Sequence, residues 1–347
     1  MAVDELVIAP AVLAWLLALL PVPQAAGAGQ EQPDRPQIYP YLLDAVDALQ
    51  GFLLDGPFQE PTSVFLESTA GELYVADSKS ALIGIFDLEG SPLFSFGRTP
   101  LLSEPRQVAA AGDGTIFVLD AADSQVHVFN YRGEPRGTLA FEYPAIGDVP
   151  GGTAAVSCFA FDPEGRWFVG DRERAQVLAY APDLSFRFAI RTARAAARFE
   201  NIVGMSVSPE GLLAVIDLGG TPVQVFDAQG RFLTGFGKRD LGVENFTGPI
   251  ACGFDGEGYL FVVDLLRHDV KIFEPSGAFR GFFGGWFGPQ TRGRGPGEMR
   301  YPNAIAFGPQ GRVWVAERFG RRVQVFHRRP RGEPALQQPA VGRDDGR

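Results

Sequence analysis

Short apolar runs recur along the chain, and each of them lies in the same frame of hydrophobic and polar positions. The frame opens with a glycine, reaches an acidic residue six positions later and reaches an aromatic residue nine positions after the acid. It occurs six times, as GELYVAD, GTIFVLD, GRWFVGD, GLLAVID, GYLFVVD and GRVWVAE, with the acids at Asp77, Asp120, Asp171, Asp217, Asp264 and Glu317. A frame that returns every ~45 residues indicates a structural repeat.

The hydrophobic pattern within each repeat predicts four antiparallel β-strands. The run that ends in the acid is apolar at consecutive positions, which is typical of a strand buried on both faces. The segment after the acid alternates between apolar and polar residues, as strands nearer a sheet edge do. A further apolar strand precedes the frame glycine, and a fourth ends in Phe-Gly at Gly97, Gly237 and Gly284. Six such units predict an all-β fold, a six-bladed β-propeller of four-stranded antiparallel blades.

The repeated acid has a structural explanation. It ends the second strand of each unit, where a carboxylate accepts hydrogen bonds from backbone N–H groups of the turn that follows. We therefore expect the six acids to stabilise turns rather than to form a catalytic set.

The last repeat is incomplete, because the chain becomes polar and rich in Pro and Gly after Phe326. A propeller closes when the opposite terminus supplies the missing strand. The leading candidate is PQIYPYLL at residues 36–43, with GFLL at 51–54 as the alternative, and the intervening DAVDAL is expected to form a short helix. We expect the propeller domain to span residues 29–330 and residues 331–347 to form a disordered tail.

The repeat resembles that of the NHL family of β-propellers. The resemblance rests on the strand ends YVAD, FVVD and WVAE, the strand RVQVF at residues 322–326 and the linker GRGPGEMRYPNAIAF, and it extends over residues 37–327. It is weaker in the third repeat, which has Leu184 in place of the turn glycine, and the arginine usual five positions after the acid is kept only at Arg322. The resemblance implies a six-bladed propeller of an exported bacterial type. A WD-repeat propeller is the alternative fold, although its paired G-H and W-D signals are absent.

The net charge bears on the kind of ligand, and the N-terminal segment bears on the cellular location. The net charge of −10 argues against nucleic-acid binding. The apolar run at residues 6–20, followed by prolines and small residues up to Ala28, predicts a signal peptide over residues 1–28 and hence a periplasmic or extracellular protein. Asp4 and Glu5 stand where positive residues are usual, so a membrane anchor formed by residues 6–20 is the alternative.

Candidate catalytic residues are few. His127, His268 and His327 lie in unrelated parts of the repeats, and no motif joins them into a zinc site or a catalytic triad. Cys158 and Cys252 fall in apolar strands, which predicts two separate buried thiols.

The mouth of the central channel is the remaining place for chemistry. Lactonase and gluconolactonase propellers hold a calcium-like ion there, and the positions that open the innermost strands include Thr62, Arg106 and Asn303 in this chain. Glu60, Glu104 and Asn303 are the candidates for its oxygen ligands. Because Arg106 lies in the same ring and repels a cation, we expect no cofactor, with calcium as the alternative.

Arginine and aromatic residues collect on one face of the last two repeats. The face at which the innermost strands begin also carries the loops after the acids, and it is expected to bring together Arg267, Trp286, Phe287, Arg292, Arg294, Arg318, Phe319 and Arg321. Exposed aromatic residues among arginines are typical of binding hot spots, whereas packing beneath the linker is the alternative. The sequence therefore predicts a monomeric, non-catalytic module of the cell envelope that binds a protein or an anionic ligand. The alternative function is a metal-dependent hydrolase or lyase that acts at the channel mouth.

Overall fold

The computed structural model describes residues 39–147, 149–191, 199–285 and 295–333. The expected signal peptide over residues 1–28, and the part of the expected tail beyond residue 333, lie outside the described residues. Within the described ranges, no helix is long and apolar enough to cross a membrane.

An N-terminal strand completes the last blade, as the sequence predicts. This strand, β1 (Tyr41–Leu49), pairs antiparallel with the last strand of the chain, from Tyr41 opposite Pro330 to Leu49 opposite Val323. The predicted closing segment, residues 36–43, therefore only overlaps the start of the observed strand.

The short helix predicted for DAVDAL is wrong, because these residues belong to β1. Their strand conformation is set by packing: Ala45 lies between the fifth and sixth blades, and Leu49 lies between the sixth and the first. The alternative closing segment GFLL instead contributes β2 (Gly51–Phe52), which pairs with β3 (Gly56–Pro57).

Six four-stranded antiparallel sheets form the blades, and each of the first five contains four consecutive strands. The first blade consists of β4 (Pro61–Glu67), β5 (Glu72–Asp77), β6 (Leu82–Phe86) and β7 (Pro92–Gly97). The second consists of β8 (Pro105–Ala110), β9 (Ile116–Asp120), β10 (Gln125–Phe129) and β11 (Pro135–Leu139). A hairpin of β12 (Glu142–Tyr143) and β13 (Gly152–Thr153) leads to the third blade, which consists of β14 (Val156–Phe161), β15 (Trp167–Asp171), β16 (Gln176–Tyr180) and β17 (Phe186–Ile190).

The remaining three blades repeat this order. The fourth consists of β18 (Ile202–Val207), β19 (Leu213–Asp217), β20 (Val223–Phe226) and β21 (Phe232–Phe236). The fifth consists of β22 (Pro249–Phe254), β23 (Leu260–Asp264), β24 (Asp269–Phe273) and β25 (Phe279–Gly284). The sixth consists of β26 (Pro302–Phe307), β27 (Arg312–Glu317), β28 (Arg322–Pro330) and β1, with a 3₁₀ turn at Pro309–Gly311 between β26 and β27. The first strands contact one another around most of the ring and surround the channel, which confirms the predicted six-bladed all-β propeller.

The apolar core is divided into six layers, one between each pair of neighbouring blades. The second strand of a blade contributes to the layers on both of its sides: in β19, Val215 packs toward the third blade and Ile216 toward the fifth. The strands β15, β19 and β23 are buried at every position, which confirms that the consecutive apolar runs are covered on both faces. Since each buried aliphatic side chain contributes roughly 1.5–3 kcal/mol, packing between blades is the main source of stability.

Four of the six repeated acids both stabilise the turns after the second strands, as predicted, and hold the segments that lead into the innermost strands. The buried carboxylate of Asp217 accepts hydrogen bonds from Gly219 N (2.8 Å) in the turn. It also accepts them from Glu200 N (2.9 Å) and Asn201 N (2.8 Å) just before β18. The same two connections are made by Asp77, Asp120 and Asp264. Each of these carboxylates therefore fixes two segments at one end of the channel.

The third blade keeps the geometry of the others although its sequence match is weaker. Leu184 adopts a φ of 63° at the turn where the first, second, fourth and fifth blades have glycines with positive φ. A left-handed conformation at a non-glycine residue costs about 1–2 kcal/mol. The Leu184 side chain packs against the layer between the second and third blades, which offsets part of this strain.

Candidate active site at the channel mouth

A β-bulge interrupts every innermost strand at its second residue. The register between the first and second strands shifts there in all six blades and leaves these residues outside the ladder: Thr62, Arg106, Ser157, Val203, Ile250 and Asn303. A bulge re-aims the side chain of the unpaired residue. The six residues lie at the end of the channel where the innermost strands begin, and we call this end the channel mouth.

Hydrogen bonds between neighbouring blades fix one arc of this ring. Asn303 Nδ2 donates to Thr62 O (2.7 Å), and Thr62 Oγ1 donates to Pro105 O (2.9 Å). These bonds join the sixth, first and second blades directly beside Arg106, so the backbone that carries Arg106 is held from the side of the first blade.

A side chain fills the space between the innermost strands of the second and third blades. Gln107 Nε2 donates to Phe159 O (2.6 Å), and Gln107 Oε1 accepts from Phe159 N (3.1 Å). The strands β8 and β14 are therefore bridged by an amide side chain, and Arg106 stands at the mouth end of this bridge.

The guanidinium of Arg106 lacks a counter-ion within the described residues. Its side chain is partly exposed, and no described residue forms a hydrogen bond or an ion pair with it. Burial lowers the pKa of Arg106, and the nearby charges of Arg172 and Arg318 lower it as well. Arginine nevertheless remains charged at neutral pH. The channel mouth therefore presents a positive charge that an anion or a polarised carbonyl oxygen can compensate.

Two further arginines reach the channel mouth from other blades. Arg318 forms an ion pair with Glu60 through its Nε and Nη2 atoms (both 2.9 Å from Oε2). Arg172 Nη2 donates to Ser124 Oγ (2.9 Å), and this neutral hydroxyl is its only side-chain partner among the described residues. Of the two, only Arg318 is compensated by a carboxylate.

Two of the three candidate calcium ligands have other partners in the structure. Glu60 is engaged by Arg318, and the Asn303 amide donates to a backbone carbonyl. The exposed Glu104 side chain has no partner among the described residues, and Arg106 stands in the same ring. Across the part of the chain that the structure describes, no group of three His, Cys, Asp or Glu side chains is arranged to hold a metal ion. Two of the three candidate ligands are therefore already engaged in contacts within the protein.

A row of aromatic rings links the fifth and sixth blades at this end. Tyr301 N donates to His268 Nδ1 (3.0 Å), so the proton of the neutral imidazole lies on Nε2. The His268 and Tyr301 rings are nearly perpendicular at 4.6 Å, and Tyr301 packs edge-on against Phe319 at 5.0 Å. The guanidinium of Arg318 lies 5.5 Å from the centre of the Phe319 ring. Burial lowers the pKa of His268, which favours this neutral form.

The arginine and aromatic patch expected on the last two blades is only partly within the described residues. Trp286, Phe287, Arg292 and Arg294 lie outside them. Arg267 donates to Gly242 O (3.2 Å), while Arg318 and Phe319 belong to the row just described. Arg321 is exposed. Most of the described part of the patch is thus engaged in contacts within the protein.

The two cysteines are free and buried, which confirms the prediction of two separate buried thiols. Burial raises the pKa of Cys158 to about 11, although the charge of Arg106 opposes the shift, and burial also raises the pKa of Cys252. Both thiols are therefore neutral at physiological pH and are poor nucleophiles.

The sequence signal that places Arg318 at the channel mouth also applies to Arg172, for which it was not used. Arg172 and Arg318 each follow a frame acid directly, Asp171 and Glu317. Because the acid faces the start of the innermost strand, as Glu317 faces Pro302, the residue after the acid has to lie at the channel mouth.

Comparison with known proteins supports the fold but does not give a family. No protein-family model and no curated protein sequence matches the chain. Similar solved structures include a streptogramin B lyase, with 12% identity and a TM-score of 0.55 over 84% of this chain and 100% of that one. Another is the virginiamycin B lyase from Staphylococcus aureus, with 13% identity and a TM-score of 0.53 over 83% of this chain and 99% of that one. At these identities the similarity shows the propeller fold alone.

These comparisons correct the expected function. The sequence favours a non-catalytic binding module, but the similar propellers are lyases and hence enzymes. The comparisons therefore do not support the non-catalytic interpretation.

Proposed function

We propose that this protein is a propeller enzyme of the lyase class that acts at the channel mouth. The observation that carries the proposal is the guanidinium of Arg106, which stands in the mouth ring without a counter-ion among the described residues. A fixed positive charge in a partly enclosed site stabilises negative charge that develops on a substrate oxygen. The lyases among the similar structures support the choice of enzyme class.

The reaction is an elimination in which Glu104 acts as the base. Glu104 precedes Arg106 by two residues, its side chain is exposed, and its backbone is fixed by Asp120. The carboxylate removes a proton from the carbon next to the substrate carbonyl, and Arg106 stabilises the resulting enolate oxygen. The electron pair then forms a carbon–carbon double bond as the bond to the leaving oxygen breaks, and that oxygen takes up the proton. Glu60 is less suited to this role, because Arg318 neutralises it.

The repeat type and the cellular location are part of the same proposal. The six frames support an NHL-type repeat. Residues 1–28 support export to the periplasm or beyond, with residues 6–20 as an anchor if they are retained. Membrane fractionation of the native protein tests the localisation.

The mass balance of the reaction tests the enzyme class. Purified protein is incubated with carbonyl compounds that carry a leaving group on the β-carbon, virginiamycin B among them, and the products are analysed by mass spectrometry. A lyase gives products whose summed mass equals that of the substrate, whereas a hydrolase adds one water molecule. Conversion of none of these compounds, or products that contain an added water, would overturn the lyase proposal.

Variants test the location of the reaction. Arg106→Ala should lower kcat/KM by roughly 10²–10³-fold, as loss of a donor to a developing oxyanion does. Arg136→Ala is the matched control, because Arg136 is an exposed arginine on the outermost strand of the same blade. Equal activity of the two variants would exclude the channel mouth as the site.

A further inference from the structure

We propose that Arg106 and Arg172 together form a binding site for a carboxylate group, so that the substrate of the proposed lyase carries a carboxylate. That the bound carboxylate belongs to a substrate rests on the proposed function. The binding site itself does not depend on turnover.

The geometry brings the two cations to the same sector of the channel mouth. Arg106 comes from the bulge of β8 in the second blade. Arg172 follows the last residue of β15 in the third blade, and its guanidinium reaches back to Ser124 in the loop after β9 of the second blade. The backbone of this crossing is fixed, because Arg172 N donates to Ala155 O (2.9 Å) and Val156 N donates to Ser124 O (3.3 Å).

The third arginine serves as an internal comparison. Arg318 resembles Arg172 in its position after a frame acid, yet Glu60 neutralises it. Arg106 and Arg172 have no carboxylate partner among the described residues. Two neighbouring guanidinium groups without counter-ions repel each other, and a bound anion removes this repulsion.

The shape of the donor groups suits a carboxylate. A planar carboxylate matches the donor fork of a guanidinium through two parallel hydrogen bonds.

Equilibrium binding of benzoate, with benzamide as its neutral isostere, tests the site on the full-length protein. Benzoate should bind and benzamide should not, and Arg106→Gln and Arg172→Gln should each weaken benzoate binding roughly tenfold or more. Arg136→Gln, at an exposed arginine of the second blade, should bind benzoate as the wild type does. Circular dichroism establishes that each variant is folded.

Three results would overturn the inference: equal binding of benzamide, benzoate binding that neither Arg106→Gln nor Arg172→Gln weakens, or tighter binding of inorganic phosphate at the same two arginines. Failure of the two proposals can be told apart. Benzoate binding without elimination activity would refute only the proposed function, whereas elimination that persists in Arg172→Gln with unchanged KM for a carboxylate substrate would refute only this inference.

Discussion

The role of the repeated acid can be tested at Asp217, where its hydrogen bonds are fully defined. The carboxylate is buried and accepts from three backbone N–H groups, those of Glu200, Asn201 and Gly219, at 2.8 to 2.9 Å. Asp217→Ala removes the acceptor of all three. Each charge-assisted hydrogen bond contributes about 1.5 kcal/mol or more, and because water replaces part of the loss near the exposed Glu200, we expect the free energy of unfolding to fall by about 3–5 kcal/mol.

Asp171 provides the matched comparison. Its carboxylate accepts from one backbone group, Glu173 N at 3.2 Å, and otherwise from the side chains of Gln176 and Tyr143. Asp171→Ala should therefore lower the free energy of unfolding by about 1–3 kcal/mol, less than Asp217→Ala does. Equilibrium unfolding in urea, followed by circular dichroism, measures both values. Equal losses in the two variants, or a loss below about 1 kcal/mol for Asp217→Ala, would refute the argument that the acids act through backbone hydrogen bonds.

Three shorter predictions concern packing and ionisation. Gly133 has a φ of 74°, and a Cβ there would lie 2.4 Å from a buried phenylalanine ring, so Gly133→Ala should lower the free energy of unfolding by about 2–4 kcal/mol in urea. Cys158 and Cys252 have raised pKa values because they are buried, so neither should react with Ellman's reagent at about pH 8 until the protein is unfolded. Because the unfolded thiols lose their protons more easily, a pH above about 8.5 should favour unfolding. Burial lowers the pKa of His268 below its ordinary value of about 6.5, and protonation of Nδ1 breaks the hydrogen bond from Tyr301 N. The free energy of unfolding should therefore be lower at about pH 5.5 than at about pH 7.5. This difference should be smaller in His268→Gln.

The fold could be predicted from the sequence because its determinants are local and repeated. The frame from glycine to acid to aromatic residue fixes a strand buried on both faces and the turn that follows it, and six copies leave little freedom of topology. The turn conformation is kept even where the repeat lacks its glycine, because the backbone of Leu184 adopts the positive φ of a turn glycine. The helix predicted at DAVDAL failed because the conformation of these residues is set by contacts with β28, more than 270 positions away in the sequence.

The candidate site was harder to predict, because it depends on charges from different blades. The position of Arg106 at the channel mouth follows from its place in the repeat, but the absence of a carboxylate partner among the described residues does not. Arg172 and Arg318 occupy the same position in their repeats, yet only Arg318 meets a carboxylate. Such differences arise from tertiary contacts between blades and have no signature within a single repeat.

The acids connect the fold to the proposed site, and Asp120 tests this connection. Its carboxylate accepts from Ser103 N (2.7 Å) and Glu104 N (2.9 Å), immediately before the strand that carries Arg106. Asp120→Asn retains the shape of the side chain but removes the charge that strengthens these bonds. The segment should then hold Glu104 and Arg106 less firmly, so that benzoate binding weakens several-fold and kcat/KM falls roughly tenfold.

Asp264→Asn is the control for this experiment. Asp264 holds Thr247 N (2.8 Å) and Gly248 N (2.9 Å) in the same way, but these residues carry no group of the proposed site. The two variants should lose similar free energies of unfolding, since the bonds they weaken are alike. Only Asp120→Asn should bind benzoate more weakly than the wild type. If binding is weakened equally in both variants, the acids act through overall stability and not through the position of Glu104 and Arg106, and the link between the repeat and the channel mouth would have to be abandoned.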